Sequence, residues 1–209
     1  MKRKILILSP HTDDGEFGCG GTIVKFLNQG HDIHYCAFST ASKSIRLGLD
    51  KDILINEMQD AMTVLGVRNT HRFDYDARDF PEHRQEILED MIWLKKEVNP
   101  NIVFLPSTYD IHQDHKVICE EGIRAFKDCT IFGYELPWNN LSFSTQMFVA
   151  LDTSQVDKKW EAIKMYRSQS HRRYFTRNYI SSWLSMRGNQ INTKYAEVFE
   201  VIRLIINGG

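Results

Sequence analysis

Short apolar runs rich in β-branched residues alternate along this chain with longer stretches whose apolar residues recur every three or four positions. Such alternation is the pattern of β-α-β units wound around a parallel sheet. Strands are expected at 5–9, 33–38, 72–75, 102–106 and 131–134. Helices are expected between them at 21–28, 51–65 closed by Gly66, 84–98 closed by Asn99-Pro100, and 116–126. Two further strands at 147–151 and 197–205, with helices near 157–167 and 178–187, complete the chain. The fold class that follows is α/β, a Rossmann-like, doubly wound, mostly parallel sheet of order 3-2-1-4-5 with additional C-terminal strands. In that order the first and fourth strands are neighbours whose following loops diverge, and a crevice opens at their carboxyl ends. Behind the first strand stand His11, Thr12, Asp13 and Asp14; behind the fourth stand Asp110, His112, Asp114 and His115. Two polar clusters a hundred residues apart are thereby brought to one place.

At 209 residues and 42% hydrophobic composition, the chain is expected to form one domain over residues 1–209, and no linker, low-complexity tract or fixed-period repeat divides it. With 26 Lys and Arg against 27 Asp and Glu, its charge gives no argument for nucleic acid or an anionic membrane. A small molecule is the expected partner. The N-terminal apolar run is too short for a signal peptide, and none approaches the roughly 20 residues of a membrane helix. Cys19, Cys36, Cys119 and Cys129 lack CxxC spacing, which suits reduced, buried thiols and a cytoplasmic location.

The chemistry begins at ILILSPHTDDGEFGCGGT, residues 5–22. Adjacent carboxylates next to an apolar strand are costly unless a positive charge compensates them, and a divalent cation would supply it. His11 and Asp14, three apart in a tight turn, can close on one ion. A third ligand is available in IHQDHK, where His112 and His115 share a helical face if a helix starts near Ile111. Three protein ligands with one open position describe a catalytic zinc site. Asp13, beside the ion without binding it, suits a general base; His112 on the other side suits an oxyanion partner and acid; Asp114 suits holding an imidazole in one tautomer. Zn²⁺ leads and Fe²⁺ is the alternative, because Mg²⁺ and Ca²⁺ favour all-oxygen shells. Gly15, Gly18, Gly20 and Gly21 partly imitate a dinucleotide fingerprint, but HTDD stands where a pyrophosphate needs bare amides, so they are read as packing positions. Glu16 is read as a hydrogen-bond acceptor behind the site or as a charge at a helix start. His31, His34, His71, His83 and His171, each standing apart from these clusters, are read as surface or core residues.

PHTDD with GEFGCGGT resembles the H-x-DD-x-E-x-G-x-GGT signature of the PIG-L/LmbE-like family of metal-dependent N-deacetylases, and HQDH resembles its H-x-D-H motif. NEMQDAMTVLGV, NPNIVFLPS, YRSQ and YAEVFEVIR resemble further family segments, so the likeness runs over nearly the whole chain. The resemblance implies His11, Asp14 and His115 as zinc ligands, Asp13 as base and His112 as acid or oxyanion partner. It also implies hydrolysis of the acetamido group of an N-acetylated amino sugar, free, nucleotide-linked or lipid-linked, and it is the only ground for expecting a homo-oligomer. Two positions depart from the family pattern: Leu54 stands where many members have arginine, and Thr12 where many have proline.

Substrate contacts are sought in two places. KMYRSQSHRRYFTR, residues 164–177, carries five Lys or Arg and no acid. Arg172 within it suits gripping a phosphate, while the whole run equally suits a solvated face paired with acids. Glu135, Trp138 and Asn139 in GYELPWNN follow the fifth strand at the same sheet edge, with Trp138 a flat platform for a sugar ring. The competing readings are an amidase acting on another sugar or thiol-conjugate amide, a metal-containing sugar-binding module without turnover, and a nucleotide-binding oxidoreductase. Binding alone would need neither Asp13 nor His112.

Overall fold

A computed structural model describes residues 2–40, 50 and 52–206. The strands are β1 (Lys4–Ser9), β2 (Asp32–Ala37), β3 (Asn69–Arg72), β4 (Ile102–Pro106), β5 (Thr130–Tyr134), β6 (Met147–Leu151) and β7 (Tyr195–Arg203). The helices are α1 (Asp14–Asn28), α2 (Ile53–Leu65), α3 (Arg84–Val98), α4 (Gln113–Ala125), α5 (Thr153–Ile163) and α6 (Arg177–Asn189). One sheet runs β3-β2-β1-β4-β5-β7-β6, with β1 to β5 parallel and β7 antiparallel to both of its neighbours. The expected order 3-2-1-4-5 is therefore present, and β1 and β4 pair directly.

The apolar run of β1 is explained by its central place. Ile5 and Ile7 pack with α1, α2 and α5 on one face, while Leu6 and Leu8 pack with α3 and α4 on the other. A parallel strand buried on both faces needs no polar alternation. Among the described residues, no helix is long and apolar enough to cross a membrane. All four cysteines are free and buried.

Helix α1 differs from the sequence expectation in an instructive way. It begins at Asp14 rather than Gly21, and it breaks at Cys19, whose φ of -146° is not helical. A buried ion pair mends the break. Lys159 Nζ donates to Phe17 O at 2.5 Å, and Glu197 accepts from the N–H groups of Gly21 and Thr22 at 3.0 and 2.6 Å. Lys159 and Glu197 are themselves 2.6 Å apart and essentially inaccessible to water. The backbone groups orphaned by the kink are thus satisfied by side chains from α5 and β7. The expected packing role of the glycines is also visible, since a Cβ at Gly18 would collide with Tyr134 and one at Gly21 with Leu151.

Other boundaries shift for local reasons. β3 occupies Asn69–Arg72, not 72–75: its half-exposed NTHR sequence lies at the sheet edge and carries no apolar alternation. α4 begins at Gln113, not 116, and His112 is its N-cap. α5 begins at Thr153 because Asp152 and Gln155 form a capping box, the D-x-x-Q signal preceding its apolar positions. α2 begins at Ile53; Lys51, the expected start, lies outside the described residues.

Candidate active site

The carboxyl ends of β1 and β4 deliver the two polar loops to each other. After β1, the Ser9 hydroxyl donates to His11 O at 2.5 Å and accepts from Gly15 N at 3.0 Å, folding the HTDD turn back on the strand. His11 N donates to Asp14 Oδ2 at 2.9 Å, which aims that carboxylate into the turn. After β4, Asp110 accepts from His112 N at 2.8 Å, and His112 Nδ1 accepts from Asp114 N at 3.2 Å. The latter contact leaves the proton of a neutral His112 on Nε2.

Three atoms converge. His11 Nδ1 and Asp14 Oδ2 are 3.0 Å apart, His115 Nε2 and Asp14 Oδ2 3.2 Å, and His115 Nε2 and His11 Nδ1 3.3 Å. A tetrahedral ion with bonds of about 2.0–2.1 Å sets its ligands about 3.3 Å apart, so the donors present fit such an ion without rearrangement. His112 also belongs to this imidazole cluster: its ring stacks on His115 with centroids 4.5 Å apart and meets His11 edge-on at 5.1 Å. Ligand atoms of His11, His112 and His115 lie within 4.8 Å of one another, a looser donor set than the triangle containing Asp14.

The far nitrogens of both candidate imidazole ligands are held by buried carboxylates. His11 Nε2 lies 2.9 Å from Asp114 Oδ2, and His115 Nδ1 lies 2.7 Å from Asp110 Oδ2. Carboxylate–imidazole pairs of this kind orient a metal-binding ring and raise its basicity. Asp114 Oδ2 also receives the N–H of Arg78 at 2.7 Å, from a residue held at φ 75°.

The electrostatics of the chain alone follow from these contacts. Burial pulls the His11 pKa down, but its hydrogen bonds to Asp114 and Asp14 outweigh that and raise it to about 9. His115 is likewise opposed by burial yet carried up to about 10 by Asp14 and Asp110. His112 moves the other way, to about 4, through burial and then the charges of His115 and His11. Asp14 resists burial and stays well below the usual carboxylate range because of His115 and His11. Asp13 is pushed up by burial and by Asp14, against the pull of Arg172.

Behind the turn, Glu16 is buried between two phenols. Tyr35 contacts one of its oxygens and Tyr166 the other at 2.6 Å. The same phenols lie 2.9 and 2.6 Å from Thr12 O. Each phenol has one proton and Thr12 O can only accept, so the two phenols cannot donate at all four contacts, and a proton on Glu16 would serve one of those left over. Burial accordingly raises its pKa to about 8, against the hydrogen bonds from Tyr166 and Tyr35.

A cavity of ≈ 170 Å³ opens onto the cluster. Asp13, Asp14, His11, His112 and His115 line it together with Trp138, Asn139 and Arg172. Trp138 lies flat on Tyr174, with centroids 3.8 Å apart and planes 4° apart. Glu135 is not brought to the cavity: its buried carboxylate takes the Trp183 indole N–H at 2.7 Å and pairs with Arg187. Residue 135 follows the end of β5, and its side chain turns to Trp183 and Arg187 of α6 rather than to the crevice. The basic segment divides as well, since Lys164 pairs with Glu161 and Arg177 with Asp157 while Arg172 lines the cavity. The sequence places Asp110 in the crevice without a role there and assigns none to Arg78 or Gln169. Only the position of Asp110, five before His115 in the same loop, offered a signal.

Residues 6–126 match the family model described as GlcNAc-PI de-N-acetylase, PIG-L. The chain is 27% identical over 131 residues to a diacetylchitobiose deacetylase of Thermococcus kodakarensis, covering 59% of this chain and 49% of that relative. It thus spans about half that relative's length. It is 29% identical over 174 residues to the uncharacterized deacetylase YaiS of Escherichia coli K12, covering 80% of this chain and 92% of the other. Its fold superimposes with a TM-score of 0.79 on the 4-carboxy-2-hydroxymuconate hydratase GalB of Pseudomonas putida KT2440, at 20% identity and covering 100% of this chain and 99% of that one. That likeness shows the fold alone, and a hydratase on this scaffold means that activity has to be argued from the site. With the family model matched over more than half of its length, the chain belongs to the GlcNAc-PI de-N-acetylase (PIG-L) family.

Proposed function

We propose that the chain is a metal-dependent N-deacetylase acting on an N-acetylated amino sugar, with His11, Asp14 and His115 holding the ion. The observation that carries this reading is the triangle of their donor atoms, 3.0 to 3.3 Å on a side, at the floor of a cavity that Asp13 and His112 also line. Zn²⁺ is the ion best suited to two imidazoles and one carboxylate, with Fe²⁺ second. When bound, such an ion supplies Lewis acidity, polarising an amide carbonyl and making water more acidic.

The chain's own groups supply the rest. Asp13, which lines the cavity without joining the triangle, takes a proton from the attacking water. His112, its Nδ1 occupied by the Asp114 N–H, presents an Nε2 proton to the carbonyl oxygen as that oxygen gains charge. The proton held by Asp13 then passes to the departing amine, so water is consumed and acetate and a free amine are released. Asp114 and Asp110 keep the two ligand rings in register throughout. Trp138, stiffened by its stack on Tyr174, offers the sugar a flat apolar face.

The test is metal analysis of the purified protein joined to an acetate-release assay over N-acetylhexosamines and over unrelated amides. One equivalent of metal with acetate released only from the amino sugars supports the reading. Turnover restricted to other amides makes the chain an amidase, and stoichiometric metal without any turnover makes it a binding module.

A further inference from the structure

We propose that Tyr166 is a positioning residue: together with Tyr35 it clamps the carbonyl of Thr12 and thereby aims the carboxylate of Asp13. The inference rests on the deacetylase reading, in which Asp13 takes the proton from water. It adds a residue that stands behind the turn rather than among those lining the cavity.

The turn holds its residues unequally. His11 is engaged at both ring nitrogens, by Asp14 and Asp114, and its carbonyl accepts from Ser9. Asp14 accepts from His11 N and meets the rings of His11 and His115. Asp13 is anchored by neither kind of contact. An aspartate at a helix N-cap ordinarily takes a β-region backbone and turns its carboxylate to an amide of the first turn. Asp13 precedes α1 at φ -106° and ψ -11°, and its side chain makes no cap hydrogen bond. The carboxylate takes a hydrogen bond from its own backbone instead, while Asp14, Arg172 and His11 act on it through their charges. Its direction is therefore the direction its backbone gives it.

That backbone is set by the peptide unit joining Thr12 to Asp13. The unit is planar, so turning it changes ψ of Thr12 and φ of Asp13 together. Its carbonyl oxygen lies 2.6 Å from the Tyr166 hydroxyl and 2.9 Å from that of Tyr35. Holding this one atom from two sides fixes φ of Asp13. The phenols are themselves immobile: both are fully buried, both reach Glu16, and Tyr35 is also 2.9 Å from Ser9 Oγ. Tyr166 comes from just beyond α5, 154 residues away from Thr12. Its own carbonyl accepts from Gln169 N at 2.9 Å, within the segment whose Gln169 and Arg172 line the cavity. The hydroxyl thus ties that segment to the turn bearing Asp13.

The test is Tyr166→Phe, which removes the hydroxyl and keeps the buried ring. In acetate release by the metal-loaded protein, kcat should fall roughly tenfold while KM stays within about twofold and metal per chain is unchanged. A kinetic double-mutant cycle with Asp13→Asn locates the effect. In that background Tyr166→Phe should alter kcat by less than about twofold, because the group it aims no longer works as a base. Tyr35→Phe, which reaches the same carbonyl from β2, should repeat the pattern. Amide hydrogen exchange gives a readout independent of turnover: it should quicken about tenfold across residues 12–15 in either variant, with β1 and α5 unaffected. Wild-type kcat in Tyr166→Phe, an equal loss in the Asp13→Asn background, or metal lost in step with activity each overturns the inference and leaves deacetylation standing. Should wild type release no acetate from any amide, the deacetylase reading fails on its own and exchange decides the clamp. Faster exchange confined to 12–15 supports it, and unchanged rates there overturn it.

Discussion

At the scale of single residues, Asp13 and Asp14 are adjacent in sequence yet take different positions at the site. Asp14 is fixed by His11 N–H and by the imidazoles of His11 and His115, whereas Asp13 lines the cavity outside the triangle. Asp13→Asn is therefore expected to keep its metal and lose about 10²- to 10⁴-fold in kcat, the range for removing a general base. His115→Ala is expected to lose metal and turnover together. Metal content by elemental analysis beside initial rates of acetate release checks both, and equal metal loss in the two variants would refute the division of labour. Asp110→Asn tests the carboxylate behind His115: metal affinity should weaken about 10- to 100-fold, read by competition with a chelator, while the fold stays intact. The sequence made the convergence of His11, Asp14 and His115 legible because their spacing is local on each loop. It did not reveal Asp110 or Arg78 as partners, since an aspartate facing a ring nitrogen and an arginine at φ 75° are tertiary facts that no short-range pattern encodes. Glu135 misled for the same reason: nearness to the right sheet edge does not say which face a side chain takes.

At the scale of elements, the kinked helix α1 decides how that turn is aimed. Its first segment carries Asp14 and Glu16, its second carries the core positions Ile23 and Val24, and Lys159 with Glu197 joins them. Removing one partner leaves a charge buried without compensation, so Glu197→Gln or Lys159→Met should each cost about 3–5 kcal/mol in denaturant unfolding. The double variant should recover part of that loss, a coupling that a solvent-exposed pair would not give. This helix was only half legible in the sequence. Apolar periodicity marks 21–28, but the preceding stretch has glycines where Tyr35 of β2, Tyr134 of β5 and Lys159 of α5 crowd the backbone, and glycine-rich sequence reads as a loop. By contrast β4, β6 and α3 were legible to their ends: the strands are continuous apolar runs, and α3 is closed by Asn99 at φ 50° before Pro100. The insertion of β7 between β5 and β6 was not, because no local pattern says which of two C-terminal strands pairs with β5.

For the whole molecule, the convergence of two loops a hundred residues apart in the chain would link metal, protons and stability. In the protein without an ion, His11 and His115 each bridge two carboxylates, and their pKa values of about 9 and about 10 reflect an imidazolium doing what a cation would do there. The sign follows from linkage: a histidine whose folded pKa exceeds its unfolded value of about 6.5 stabilises the fold fully below that value, and the contribution disappears as pH rises through the folded pKa. The chelated protein should consequently lose more than about 1 kcal/mol of stability between pH 7 and pH 10, measured as the difference from His115→Gln, which lacks the larger of the two shifts. Binding an ion to His11 Nδ1 and His115 Nε2 displaces protons from those atoms, so on the order of two should be released at pH 7, read by calorimetry in buffers of differing ionisation enthalpy. Metal should then reverse the slope, its stabilisation of about 2.7 kcal/mol at a hundredfold excess over Kd growing with pH instead of fading. A protein whose unfolding temperature ignores both chelator and pH across this window would show that the two loops are held by packing alone and that the triangle carries no cation.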